Sequence, residues 1–315
     1  MRIVRYTPAD SERWDAFVRT SKNGTFLFLR GYMDYHSDRF RDHSLMVLDD
    51  KDRLLALLPG NEEGEVYWSH RGLSYGGLVL SLDVTAETVL HIMEFLLIYL
   101  KGVGFKTCYY RQVPSCYHLY PAQEDDYALW RNGASLDACN MSAVIDLQSR
   151  IVPKVERRRR RGWQKAGDLR YEVTEIQNLE RCWHIVEDNL RERYNARPAH
   201  TLEEIKLLKA RFPANIRCFV AERDGEIEAC SILYFTRQAV HAQYTHATPQ
   251  GKADGAQDLL YRAVIDYCRE EGCRYFDFGT SNEDGGRVLN ETLIAQKEGF
   301  AARGMVYRIF KINLI

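Results

Sequence analysis

One pattern occurs twice in this chain: a strand, a loop, one helix of similar length, a glycine, and a second strand. The first copy runs through Leu73–Leu80, a helix from about Ala86 to Lys101, Gly104 and a strand over Phe105–Val113. The second runs through Val240–Ala247, a helix from about Gly255 to Glu271, Gly272 and a strand over Arg274–Gly279. Two strands joined through a single helix predict parallel or near-parallel neighbours. The recurrence predicts duplication of one domain type. With 315 residues there is room for two domains of ordinary size. The expected fold class is therefore α/β, with mixed sheets, as tandem duplicated domains. The expected boundary lies just before Pro153, giving residues 1–149 and 150–315.

Local signals fill in the second half. Thr201-Leu202-Glu203-Glu204 has the form of a capping box and opens a helix to about Arg211. Leu179, Cys182, Trp183, Val186, Leu190 and Tyr194 recur at helical spacing. Asp224-Gly225 between two apolar runs predicts a hairpin. Asp254 stands where it caps the helix that begins near Gly255, with Gln257 three residues on.

The formal net charge of -1 excludes a protein that coats nucleic acid with its whole surface. Met1–Asp10 has no apolar core of the signal-peptide kind, and the apolar stretch Val89–Leu100 is too short to span a bilayer. A cytoplasmic protein is expected. The eight cysteines show no metal-ligand spacing and read as small buried hydrophobes, so no metal is expected. No P-loop, dinucleotide-binding glycine motif or Ser-His-Asp order is present. The run Arg157–Arg161, after Pro153 and before Gly167, reads either as an ion-paired linker helix or as an anion site.

Several ordered pieces carry a family resemblance. They are the Arg157–Ala166 stretch, Ala221–Glu226, His241-Ala242-Gln243-Tyr244, Tyr275–Ser281, Leu289–Leu293 and Gln296–Phe300. Together the chain resembles the GNAT-like acetyltransferases, in the two-domain Fem-type branch related to peptidoglycan peptidyltransferases. The first half resembles that branch more loosely, through Gly72–Leu78. The resemblance implies transfer of an acyl group to an amine by direct attack, with the donor between two splayed parallel strands, here Val240–Ala247 and Arg274–Gly279. The donor in ordinary GNAT enzymes is acyl-CoA, with acetyl-CoA the reference case. In Fem-type enzymes it is aminoacyl-tRNA.

The residues suggest roles within that frame. Tyr244 and His246 alternate on one strand face, so His246 is the candidate base and Tyr244 a positioner or acid. Ser281, at a strand's C-terminal end, is the candidate acid or acyl-orienting donor. Donor phosphates are expected at a helix N-terminus near Gln250, Gly251, Lys252, Gly255 and Ala256. Asn290 and Lys297, seven residues apart on one helix, are expected to help hold the donor. Arg197, His200 and Asp277 are the acceptor-side candidates, with Asp277 also suited to accept backbone N–H groups. The leading expectation is an N-acyltransferase taking acyl-CoA and the amine of a small molecule or cell-envelope precursor. The alternatives are a Fem-like aminoacyl transferase using aminoacyl-tRNA on a cell-wall precursor, and a catalytically inactive ligand-binding protein.

Overall fold

The structure is a computed structural model that describes residues 1–314, with the side chains of residues 193 and 194 left out, so Tyr194's place on its helix lies outside the described side chains. The chain divides into two compact units. The first comprises Met1–Met141, Asn282–Val288 and Val306–Ile315; the second comprises Ser142–Ser281 and Leu289–Met305.

The principal elements of the first unit are β1 (Arg2–Arg5), α1 (Ser11–Thr20), β2 (Leu45–Leu48), β3 (Leu54–Leu58), β4 (Val66–Trp68) and β5 (Val79–Leu80). They continue with α2 (Ala86–Gly102), β6 (Thr107–Arg111), α3 (Glu124–Arg131) and the start of β7 (Ser135–Asp146). Thr85 caps α2, accepting from the Thr88 N–H at 3.4 Å. Val89, Ile92, Met93, Leu96 and Leu100 then recur on one face and are buried against Leu45, Ala56, Leu80 and Cys108. Gly104, at φ +100°, supplies the left-handed turn that sends the chain back into β6.

Two expectations for this unit fail. Only Val79–Leu80 of the stretch Leu73–Leu80 joins a sheet, because Gly76 is pressed onto the Ser69 carbonyl and Gly77 sits at φ +78°. Furthermore β5 and β6 are not ladder partners: β5 pairs with β3 antiparallel, and β6 pairs with β4 in parallel.

The second unit contains the end of β7, then α4 (Arg157–Asp168), β8 (Glu172–Ile176), α5 (Glu180–Tyr194), α6 (Leu202–Arg211), β9 (Ile216–Arg223) and β10 (Glu226–Phe235). Next come β11 (Ala239–Ala247), α7 (Pro249–Asp254), α8 (Ala256–Glu270), β12 (Tyr275–Thr280), α9 (Glu291–Glu298) and the first residues of β13 (Arg303–Asn313). Strands β8, β9, β10 and β11 are successive antiparallel neighbours, and β12 adds beside β11 in parallel. β12 pairs on its other edge with the end of β7. Asp224 at φ 54° and Gly225 at φ 85° make the tight β9–β10 hairpin. The Thr201 capping box forms at the start of α6 as its sequence predicts.

The loop between β11 and α8 departs from expectation. Thr248, not Asp254, is the cap: its hydroxyl accepts the Gly251 N–H at 3.0 Å and opens α7. Gly255, at φ +82°, then turns the chain directly into α8. The expected capped loop is thus two helices joined at one glycine. Asp254 instead accepts from Gln250 Nε2 at 2.9 Å, the Tyr171 hydroxyl at 3.1 Å and Arg223 at 3.2 Å.

Candidate functional site

The site begins with a parting of strands. β11 and β12 pair in parallel only through Ala239, Val240 and His241, facing Tyr275, Phe276 and Asp277. Beyond that point β11 stays with β10 and β12 stays with β7, so the two diverge. A cavity of 280 Å³ opens in the gap. Gln243, Tyr244, Thr245 and His246 line it from β11, Phe278 from β12, Asn189 from α5 and Lys297 from α9. Tyr261, Phe278 and Phe300 pack ring on ring, with centroids 5.1 to 6.0 Å apart, and give it an aromatic wall.

A β-bulge controls which side chains share a face. Leu233 faces Ala242 and Ile232 faces Tyr244, so Gln243 is an extra residue in β11. Simple alternation puts His241 and Tyr244 on opposite faces; the bulge brings them to the same one, with His246. His241 Nδ1 lies 2.9 Å from Asp277 Oδ2. This Asp–His pair was not apparent in the sequence, because its signal depends on counting one residue out of the strand. Asp277 is fully buried and also accepts the Gly279 N–H at 2.9 Å and the Ser142 hydroxyl.

Each expected site residue has a definite place. His246 Nδ1 is 3.0 Å from the amide oxygen of Asn189 on α5. With that oxygen accepting, Nδ1 carries the proton and Nε2 is the basic nitrogen. The Tyr244 hydroxyl lies 2.8 Å from His200 Nδ1 and accepts the His200 N–H at 3.3 Å. Burial pushes Tyr244 up to about 12, so it stays a neutral phenol at neutral pH. His200 belongs to the loop before α6, which with Glu187, Arg191 and Arg197 lines a separate hollow of 600 Å³. The structure therefore brings Tyr244 and His200 together, and places Arg197 beside that hollow rather than the strand gap.

Lys297 is not the solvated lysine its position at the end of a helix suggests. It is 6% exposed and donates to the Gly279 carbonyl at 2.7 Å, the Thr280 carbonyl at 2.9 Å and Ser281 Oγ at 2.9 Å. Burial pushes its ammonium down to about 8, with Asp277 partly offsetting the effect. Ser281, fully buried, is held by this same lysine. Asn290 does not accompany Lys297: its Oδ1 accepts the Leu293 N–H at 2.9 Å as the cap of α9.

The expected phosphate-loop residues divide in the same way. Lys252 lines both the strand gap and a neighbouring cavity of 480 Å³, and Gly255 lines the latter. Gln250 is tied to Asp254. Gly251 is packed on the Glu228 backbone, where an added Cβ would lie 2.2 Å from the carbonyl oxygen, and Ala256 is fully buried. These three line neither cavity. No cluster of His, Cys, Asp and Glu suited to a metal ion occurs among the described residues. No helix among them is long and apolar enough to cross a membrane.

A mixed sheet whose two parallel strands part over a lined cavity is the arrangement that the resemblance to GNAT-like domains implies. Comparison with known proteins agrees: residues 153–284 match the model of the Acetyltransferase (GNAT) domain family. Over its length the chain is similar in structure to FemX, with a TM-score of 0.71 at 11% identity, covering 99% of this chain and 97% of that one. It is also similar to the C-terminal domain of a putative lysylphosphatidylglycerol synthetase from Agrobacterium fabrum, with a TM-score of 0.62 at 15% identity, covering 97% and 92%. L-PGS from Bacillus licheniformis gives a TM-score of 0.63 at 14% identity, covering 97% and 92%. No curated protein matches the sequence. Residues 153–284 are thus similar to the GNAT acetyltransferase domain family, and the chain as a whole has a tandem GNAT-like fold similar to that of FemX.

Proposed function

We propose that the protein is an N-acyltransferase whose second half, residues 150–315, binds the acyl donor in the gap between β11 and β12, while residues 1–149 serve as structure. The observation that carries this reading is the parting of the two strands after His241 and Asp277, over a cavity lined by His246, Lys297 and an aromatic wall. Beyond His241 the β12-facing edge of β11 has no ladder partner among the described residues. An extended, amide-bearing chain such as the pantetheine arm of acyl-CoA satisfies such an edge as an added strand does.

In this scheme the attacking amine loses its proton to His246 Nε2 as its nitrogen bonds to the acyl carbonyl carbon. Asn189 holds the imidazole in the required tautomer. Lys297, gripped by two carbonyls and Ser281, presents a charge beside the acyl group, and Ser281 acts through it. Tyr244 fixes His200 and the acceptor-side loop that carries Arg197. Collapse of the tetrahedral adduct expels the carrier, as a thiolate that takes up a proton when the donor is acyl-CoA. The acceptor is the amine of a small molecule or cell-envelope precursor.

A second reading is favoured by the exposed arginines of α4 and by the likeness to FemX: an aminoacyl-tRNA supplies the acyl group, and a ribose hydroxyl is the leaving group. The test is turnover with acetyl-CoA and with charged tRNA over a panel of amines, for wild type and His246→Ala. The substitution should lower turnover on the order of tenfold or more, with little loss of stability. Unchanged turnover removes His246 from the mechanism.

A further inference from the structure

Of the eight cysteines, Cys108, Cys116, Cys182, Cys218, Cys230 and Cys268 are buried, while Cys139 and Cys273 are half-buried. Two of the buried ones, Cys182 on α5 and Cys218 on β9, bring their sulfurs to 3.7 Å, but neither has a face open to solvent. An oxidant from solution has no path to them in the folded chain. The C-terminal end of α8 differs, because there a buried thiol and a reachable one are neighbours.

Backbone geometry puts them together. Gly272 leads the chain out of α8 at φ +77°. The Cys273 N–H donates to the Cys268 carbonyl at 3.0 Å, and the Gly272 N–H to the Arg269 carbonyl at 3.1 Å. These are the paired bonds of a Schellman motif, in which the side chains at the positions of Cys268 and Cys273 meet, commonly as an apolar clasp. Here the clasp is two thiols, hydrogen-bonded to one another. The turn is also held from outside, since Gln148 Nε2 donates to the Gly272 carbonyl at 3.1 Å. Cysteines whose side chains already meet across a fixed turn need little backbone movement to be bridged.

The two thiols are not equivalent. The hydrogen bond from Cys268 holds the Cys273 thiol below its ordinary range, against its partial burial. The same bond, together with burial, pushes the Cys268 thiol up. Of the nearby charged groups, the Arg217 guanidinium favours the thiolate at both positions and Glu271 disfavours it. Cys273 thus combines thiolate character with access, and Cys268 sits behind it.

We infer that Cys268 and Cys273 form a redox-active dithiol, a modification site for low-molecular-weight disulfides, with Cys273 as the attacking thiol and Cys268 as the resolving one. The Cys273 thiolate attacks one sulfur of the incoming disulfide. A mixed disulfide forms, and the other half leaves as a thiolate that takes up a proton. Cys268 then gives up its proton, its sulfur attacks Cys273 Sγ, and the second half leaves as a thiol in the same way. The protein dithiol is oxidised by two electrons, and the incoming disulfide is reduced to two thiols. The new bond closes the turn between α8 and β12, which carry Tyr261 and Phe278 of the strand gap. The inference stands apart from the reaction proposed above and uses none of the residues assigned to it.

The test treats the folded full chain with oxidised glutathione, in a Cys139→Ser background so that Cys273 is the one reachable thiol among the described residues. Remaining thiols are then alkylated under denaturing conditions and the chain is digested with trypsin. Cleavage after Arg262, Arg269 and Arg274 puts Cys268 in residues 263–269 and Cys273 in residues 270–274. The expected product is these two peptides joined, from an intact chain lighter by two hydrogens and free of glutathione. Adding Cys268→Ser should trap one glutathione on Cys273. Adding Cys273→Ser should slow any modification of Cys268 on the order of tenfold or more. Two unmodified peptides overturn the inference, as does glutathione that stays on Cys273 with Cys268 present. Oxidation of Cys182 and Cys218 in place of this pair, or reaction of Cys268 at an unchanged rate without Cys273, does the same. Should either added substitution prevent folding, the peptides from the Cys139→Ser chain decide alone.

Discussion

The same strand–helix–strand unit occurs in both halves and is used in opposite ways. In the second half the gap between β11 and β12 is open and lined by the titratable side chains of Tyr244, His246 and Lys297. In the first half the corresponding gap, between β5 and β6, is filled. The Tyr110 hydroxyl donates to Asp125 Oδ2 at 2.7 Å and accepts the Leu78 N–H at 2.7 Å. Gln112 adds a bond to the same carboxylate at 3.1 Å. The segment after β4 closes over it, with the Gly76 N–H on the Arg111 carbonyl at 2.8 Å. Burial pushes Asp125 up to about 6, as expected of a carboxyl sealed from water. What distinguishes the halves is thus whether a polar network plugs the parting of the strands or lines it.

Substitutions can sharpen or break that contrast. The largest effect is expected from His246→Ala in the open gap, with turnover lost on the order of tenfold or more and a nearly unchanged midpoint of thermal unfolding. Tyr110→Phe in the filled gap should show the reverse. It leaves the buried Asp125 oxygen and the Leu78 N–H short of a partner, at a cost of about 2–4 kcal/mol in urea unfolding. Turnover per folded molecule should not change. A matching loss of turnover would mean that the first half takes part in the chemistry.

Lys297 and Asp125 give a contrast in pH. Lys297 has its folded pKa lowered to about 8 from 10.5, so between these values the unfolded chain binds the extra proton and stability rises with pH. Asp125 has its folded pKa raised to about 6 from 3.8, so between these values the native state binds the extra proton and stability falls as pH rises. Lys297→Met should remove the rise between pH 8 and 10.5, and Asp125→Asn the fall between pH 4 and 6, each seen as the difference from wild type in urea unfolding. The smallest effect concerns two glycines. Gly77→Ala and Gly279→Ala both strain a positive φ, but a Cβ at 77 would meet the Tyr110 ring at 2.8 Å whereas at 279 it would meet His241 at 3.2 Å. The first should be the more destabilising, by about 1 kcal/mol.

Much of this was legible in the sequence where periodicity and turn chemistry act locally. The helices α2, α6 and α8, the Asp224-Gly225 hairpin and the parallel pairing of β11 with β12 were all expected from caps, glycines and apolar spacing. What escaped depends on tertiary contact. The bulge at Gln243 breaks the alternation that assigns faces, so the His241–Asp277 pair stayed hidden. Lys297 sits one residue before the end of a short helix, and only the carbonyls of Gly279 and Thr280 show that it is buried. Asp254 has the spacing of a cap, but Thr248 wins that role because it starts a turn earlier, and Gly255 then restarts the helix. The filled gap of the first half was likewise unreadable, since Tyr110 and Asp125 are fifteen residues apart and meet only in the fold.

Amide hydrogen exchange on the full chain, alone and then saturated with acetyl-CoA or with charged tRNA, addresses the donor site most directly. With at least one of these donors, peptides covering Ala239–Ala247 and Tyr275–Thr280 should gain protection, while those covering Val79–Leu80 and Thr107–Arg111 should not. Protection confined to the first half, or absent from both halves with both donors, would contradict the assignment of the donor to the open gap.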